Sequence, residues 1–593
     1  MLLGLPNRTK ENINNISSWY DDDGTQESNT GTNNSGLTFP RQTATAVYAA
    51  GLMWGGVFND GMSPPIRVNG QSYNSGTQRG AILGTRAGVA EDPDAPDVRI
   101  WRVRRDYFTA NLTLDAAEIF EVAPGTVTQS QIDAVRDQYA TDWAEWPSYK
   151  GAPFYDSDND GVYTPEFNSG VPVLYPDADE PGLADADQVV WYVCNDLTSQ
   201  PWTNVQSGIE QQTTIWGYSR TDALGNAIFK RFRLIYKGTG STPENASIEN
   251  MYMAQWSDPD IGSAPNDYTG VDTTLSLAFG YNADAVDPDY SSFGLNPPSA
   301  GYDLLQGPLV LTGNPSDTAI FDFRKVSGAR NIPATSFIYY AAGGIYQDPP
   351  FNAGGGVQWY QMLRGLPPTP QGPPDPPPPT DPYTGQPAVP FWLYAGSDGF
   401  SAPNPNIPNG WVDGMIEGAG DRRFLLSSGP FTMSLDDTQE IVVAVVLGLG
   451  TTNLRSVEIL KFNDRTVQDY YNVLVGIFTS VEDEPEPVPT SAELYQNYPN
   501  PFNPTTAISF SVPHSGTRSR PDGSRVGQLS AVSQTSLIIY DLLGCEVATL
   551  VNEKLEPGTY SRTWDASGMP SGVYFYRLTA GTFVQVRRMI LMK

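Results

Sequence analysis

Residues 420–450 read "GDRRFLLSSGPFTMSLDDTQEIVVAVVLGLG", two apolar runs broken once by Asp436 and Asp437. Aspartate is disfavoured inside strands and hydrogen-bonds its own backbone at turns, so the stretch reads as two strands around an Asp-Asp turn. Similar segments recur along the chain: "ATAVYAAGLMWGGVF" (44–58), "IRVNGQSYN" (66–74), "VRIWRVRRDYF" (98–108), "DQVVWYVCND" (187–196), "QQTTIWGYSR" (211–220), "IFKRFRLIYKG" (228–238) and "LSLAFGYNAD" (275–284). Each is a short run of β-branched or aromatic residues bounded by Gly, Asn or Asp, the pattern of buried or alternating strands. The expectation is a mainly β protein, with a large multi-strand, sandwich-like body.

Composition agrees. Charged residues are 17% of the 593, while aromatics are 11% and Gly and Pro number 57 and 51. Such a chain builds cores and turns rather than long charged helices. Two helices are expected on the periphery. In "TQSQIDAVRDQYATDWAEW" (128–146), Thr128 and Gln131 form a capping box, and Ile132, Val135, Tyr139 and Trp143 form one apolar stripe. "NLRSVEILKFNDRTVQDYYNVLVG" (453–476) is expected to be capped by Asn453.

Charge and rare residues exclude several function classes. The net charge is −31, from 35 basic and 66 acidic residues, which disfavours nucleic acid and anionic membranes. One histidine, His514, leaves little room for triad, zinc-histidine or histidine-shuttle chemistry. Two cysteines, Cys194 and Cys545, provide no disulfide framework. The longest apolar run, Ile441 to Gly450, is far too short to span a membrane, and "MLLGLPNRTK" does not read as a signal peptide. An enzyme of this composition is expected only as a carboxylate-dependent glycosidase.

Candidate sites are acidic. "DSDNDGVYTPE" places Asp156, Asp158 and Asp160 at alternate positions before Gly161, with the Val162 carbonyl and Glu166 following, a spacing that suits calcium. A full calcium loop wants its last acid one position later, so an Asx-turn competes with the metal reading. "SDPDIGSAPNDYTGVD" offers Asp258, Asp260, Asp267 and Asp272, and "DADEPGLADAD" a weaker cluster over 177–187. A structural Ca2+ fixing loops is the expected cofactor, and turn chemistry the alternative. Glu118, Glu121, Glu417 and Glu440 are the acids available for glycan cleavage. Trp54, Trp101, Trp191, Trp216, Trp256 and Trp359 could stack sugars, although tryptophan in β-proteins is more often core. Asp421 and Arg423 read as a turn ion pair.

The domain layout is a β-rich body over 1–478, of one or two sandwich-like subdomains and interrupted by a proline-rich insertion over 365–387, then an acidic proline-rich linker over 479–493 and a module over 494–593. The module opens with "LYQNYPNPFNPTTAISFSVP", continues with "LIIYDLLGCEVATLVNEKLEPGTYSRTWDASGMPSGVYFYRLTAG" and ends "VRRMILMK". Its period-two alternation predicts a small immunoglobulin-like sandwich. These motifs resemble the type A sorting domain of type IX secretion substrates, carried by Tyr498, Pro499, Asn500, Pro501, Phe502, Asn503, Pro504, Gly572 and Tyr574. An insertion over 515–534 departs from the family pattern. The resemblance implies delivery to the medium or outer cell surface and partnership with the export and attachment machinery. "NINNISSWYDDDG", "AAGLMWGG" and "QWSDPDIG" resemble large secreted proteins that end in the same module, which adds a layout and no activity. The first functional expectation is a non-enzymatic surface protein that self-assembles into a fibre, sheath or layer, with copies of itself or other surface proteins as partners. The alternative is a carbohydrate-binding or carbohydrate-cleaving surface protein.

Overall fold

The structure is a computed structural model of the chain. It describes residues 7–183, 185–370, 375–377, 413–414, 417–478, 492–495, 497, 500, 502–512, 533–542, 544–555, 558–581 and 583–591. Residues 479–491 of the linker, most of the proline-rich insertion, His514 and residues 515–532 of the insertion over 515–534 lie outside the described residues. The protein is mostly β and divides into two compact units, Met1–Thr479 and Ser480–Lys593.

Two antiparallel sheets organise the first unit. Its strands are β1 (Ala49–Phe58), β2 (Ile66–Gly70), β3 (Trp101–Arg104), β4 (Gln188–Asn195), β5 (Ile209–Gly217), β6 (Ala227–Tyr236), β7 (Ser247–Asp258), β8 (Asp267–Asp272), β9 (Leu277–Asn282), β10 (Ser299–Gln306), β11 (Ser336–Ala341), β12 (Arg422–Ser434) and β13 (Thr438–Gly448). The larger sheet runs β3-β4-β5-β6-β13-β10-β9-β8, with the short strand Gln78–Arg79 also pairing β4; the smaller runs β11-β12-β7-β1-β2. The Asp436–Asp437 turn does not close a hairpin within one sheet: β12 belongs to the smaller sheet and β13 to the larger. The chain crosses between layers there.

Strand β13 shows why its sequence is apolar without alternation. Ile441, Val443, Val445 and Leu447 enter the core shared with the smaller sheet, while Val442, Ala444 and Val446 enter a second core. Helices α1 (Thr113–Ile119), α2 (Gln129–Ala144) and α4 (Asn453–Phe478) cover that second face, and α3 (Ala353–Leu363) packs on the smaller sheet. A strand buried on both faces has no solvent side on which polar residues are favoured. Each fully buried Val or Leu there contributes roughly 1.5–3 kcal/mol. Strand β6 has the same two-sided burial, so its Lys230 and Arg231 are inside the protein, one in each layer, and each meets an acid.

Four helices of seven or more residues occur among the described residues, where two were expected. α2 begins with the expected capping box: Gln131 N–H donates to the Thr128 hydroxyl, and the Gln131 side chain accepts from Thr128 N–H at 2.9 Å. In α4 the cap is Thr452, whose Oγ1 accepts from Arg455 N–H at 3.1 Å; Asn453 donates instead to the Asn282 carbonyl at 2.8 Å. α3 opens "AGGG", a poor helix former by propensity. Burial of Trp359, Met362 and Leu363 against the smaller sheet, and an Asn352 cap on Gly355 N–H, override that cost.

The second unit is a sandwich. β14 (Thr505–Val512) pairs β17 (Gly558–Asp565) and the short strand Glu493–Leu494, opposite a sheet of β16 (Glu546–Leu555), β15 (Ser533–Tyr540), β18 (Gly572–Ala580) and β19 (Phe583–Leu591). Ile508, Phe510, Leu537, Ile539, Trp564, Tyr576 and Met589 fill its core.

Candidate functional site

The most unusual polar cluster lies where β7 ends and β12 begins. Antiparallel register sets Ser257 opposite Phe424, so Asp258 and Asp260 meet Asp421 across a sequence gap that no local pattern bridges. One carboxylate oxygen from each of the three lies within 4.8 Å of the others. Asp258 is 2% exposed; its Oδ2 accepts from the Tyr73 hydroxyl at 2.7 Å and lies 3.6 Å from Arg423 Nε. Arg423 Nη2 donates to Asp421 Oδ2 at 2.6 Å, Nη1 lies 3.5 Å from Asp348 Oδ2, and Nε also hydrogen-bonds the Tyr73 hydroxyl. The Oδ1 atoms of Asp258, Asp260 and Asp421 are buried and have no hydrogen-bond partner.

Electrostatics follow from that crowding. Burial, then the charge of Asp260, pushes Asp258 well above the usual carboxylate range. Burial, then the charge of Asp421, pushes Asp260 up to about 7. Asp267, at the start of β8, is raised chiefly by burial; its Oδ2 accepts from Ile261 N–H at 3.2 Å and its Oδ1 is unpartnered. Asp272 stands five residues further along the strand and pairs with Lys461 at 3.2 Å. Of the four acids read from this segment, Asp258 and Asp260 therefore share the cluster, Asp267 is nearby and Asp272 belongs to another contact. Asp421 was legible only as the partner of Arg423, which it also is.

The loop over 156–161 uses its carboxylates differently. Asp156 accepts from the N–H groups of Asp160 and Gly161, and Asp160 from that of Val162 at 2.7 Å. Asp156 and Asp158 converge with Asp179, from the 177–187 segment, within 4.8 Å. Asp179 in turn accepts from Ser157 and Thr164 N–H. Asp160 and Glu166 are not among the converging carboxylates; Glu166 is exposed, and so is the Val162 side chain. Asx-turn hydrogen bonds account for most of this loop's acids.

The acids and tryptophans considered for glycan chemistry are also placed. Glu118 binds Arg41 at 2.7 Å and Asn12 at 2.6 Å, and Glu121 accepts from Asn29 at 2.6 Å. Glu417 accepts from Tyr339 and Ile345 N–H, and Glu440 pairs with buried Arg231 at 2.6 Å. All six named tryptophans are at most 3% exposed. A groove of about 480 Å³ is lined by Asp97, Trp101, Glu145, Trp146, Tyr149 and Tyr163. Tyr149 is 72% exposed there, while Lys150 holds Asp97 at 3.0 Å and keeps its carboxyl below the usual range. Glu145 lies 3.7 Å from Arg99.

In the second unit the proline-rich opening acts as a clasp. Asn500 Oδ1 accepts from Ile590 N–H at 2.8 Å, and Phe502 N–H donates to the Ile590 carbonyl at 3.0 Å. The Phe502 ring packs 5.5 Å from Trp564, which meets Tyr574 at 5.2 Å. The Pro504 carbonyl accepts from Ala566 N–H at 2.9 Å, and Asn503 is exposed. Gly572 begins β18 opposite Leu591, and the Tyr574 hydroxyl donates to the Pro570 carbonyl at 2.8 Å. Tyr498, Pro499 and Pro501 lie outside the described residues. The motif thus ties the start of the unit to its last strand. Residues 496–592 match the family described as the secretion system C-terminal sorting domain.

The chain ends in a sorting domain. The sorting domain addresses the protein to the extracellular space or outer cell surface and implies interaction with the type IX export machinery. Among the described residues, no helix is long and apolar enough to cross a membrane. No curated protein matches the chain. A solved polysaccharide lyase is similar at 7% identity and TM-score 0.18 over 66% of this chain. The chain spans 35% of that structure's length, and a likeness this low carries no argument.

Proposed function

We propose that the body is a structural, non-catalytic component of the outer cell surface, delivered there by the sorting domain. The observation that carries this reading is the engagement of the groups a glycan enzyme needs. Glu118, Glu417 and Glu440 are each held by two or more hydrogen bonds or ion pairs, and the tryptophans lie in the cores. A general acid needs a carboxyl raised toward the working pH and open to substrate. In the groove around Tyr149, Lys150 biases Asp97 the opposite way. Among the described residues the sheet-edge strands β2, β3, β8 and β11 are four to six residues long, and contacts between copies or with other surface proteins would use these edges or the side-chain faces.

A second reading, glycan binding, is favoured by the exposed Tyr149 ring beside Glu145. The test is incubation of the purified protein with a polysaccharide panel, measuring new chain ends and retention separately. The structural reading expects neither. Cleavage abolished by Asp97→Asn or Glu145→Gln overturns it, and retention without cleavage, lost in Tyr149→Ala, replaces it with the second.

A further inference from the structure

We propose that Asp258, Asp260 and Asp421 bind one calcium ion, which pins the end of β7 to the start of β12. This stands whether the body is structural or glycan-binding. Three observations converge. The carboxylate oxygens gather within 4.8 Å, a span that fits an oxygen shell with ligands at roughly 2.3–2.6 Å from the ion. Asp258 is almost fully buried, yet its Oδ1 has no hydrogen-bond partner, and the same is true of the Oδ1 atoms of Asp260 and Asp421. Leaving such atoms unpaired is costly, and a cation satisfies all three at once.

The remaining oxygens explain why Arg423 does not already fill this role. It is taken up by Asp258 Oδ2, Asp421 Oδ2 and the Tyr73 hydroxyl, not by the Oδ1 atoms. When ionised, these three carboxylates and the neighbouring Asp348 outnumber the single guanidinium of Arg423, and a divalent cation offsets that excess. Oxygen-only ligands select a hard cation, and calcium tolerates irregular shells better than magnesium, which demands a near-ideal octahedron. The 156–161 loop differs: its carboxylates are exposed or accept backbone N–H groups, and it carries no such claim.

The full chain is stripped with chelator and titrated with calcium alone, reading melting temperature and displacement of terbium. Trp256 is placed to sensitise terbium, since its ring lies 4.9 Å from that of Tyr73, whose hydroxyl bonds Asp258. Calcium should raise the melting temperature and quench the terbium signal. Asp260→Asn and Asp421→Asn, at half-buried positions that tolerate an amide, should each weaken binding by roughly tenfold or more. Asp158→Asn should leave binding unchanged. Absence of any calcium effect on the native chain overturns the proposal, and so does binding that survives both Asp260→Asn and Asp421→Asn but is lost in Asp158→Asn.

Discussion

Lys230 makes the energetics of the two-layer body measurable. Its ammonium is 0% exposed between the sheets, ion-paired to Glu27 and donating to Gln26 Oε1 at 3.0 Å, with the Tyr302 ring 5.3 Å away. Glu27 is equally buried and also accepts from the Tyr302 hydroxyl. Burial lowers the lysine pKa, and Glu27 opposes that shift. Lys230→Met keeps the volume and leaves Glu27 as an uncompensated buried charge, at a cost of about 3–5 kcal/mol. Unfolding entropy of about 2.1 cal/mol/K per residue gives roughly 1 kcal/mol/K for a unit spanning 1–479. The melting temperature should therefore fall by about 3–5 °C, read by scanning calorimetry. The double variant Lys230→Met/Glu27→Gln should recover at least half of the loss, because the stranded charge is gone. A single variant within about 1 °C of the native protein, or a double variant no better than the single, would refute the charge argument.

The second prediction concerns pH. Asp303 and Asp464 both accept from Gln468 Nε2 in the second core, with burial the first cause of raising Asp303 to about 7 and Asp464 well above its ordinary range. The folded-state values exceed the unfolded ones, so the pair's stabilisation is complete below about pH 4 and is lost as pH rises through about 7. Asp464→Asn, which mimics the protonated partner, should flatten the decline in melting temperature across that window and raise stability above it; an unchanged pH profile would count against the coupling of the two carboxyls. Third, removal of residues 480–593 should leave the body inside the outer membrane, detected by cell fractionation, whereas normal surface delivery of the truncated chain would contradict the assigned role of the sorting domain.

Much of this was legible in the sequence where the signal is local. The capping box at Thr128 and Gln131 needs only four residues to be read, and it forms as expected. Runs such as Ile441–Leu447 announce strands, but not that both faces are buried, since that depends on which layers arrive from elsewhere in the chain. Propensity hid α3, whose glycines argue against a helix until the sheet beneath Trp359 and Leu363 is known. Asn453 and Thr452 are both good caps by type, and the contact of Asn453 with Asn282 decided between them. The acid cluster shows the same limit. Asp258 and Asp260 are visible as a pair, while Asp421 joins them only through the register of β7 with β12. The sorting domain was readable because its motif and its clasp occupy the same few residues.

The central claim is that the sorting domain delivers a structural body. Immunogold electron microscopy of native cells, with antibody raised against residues 1–478, tests it most directly. The account predicts dense labelling of a continuous, repeating layer or filament on the outer surface. Sparse label on isolated particles with no lateral contacts would contradict it.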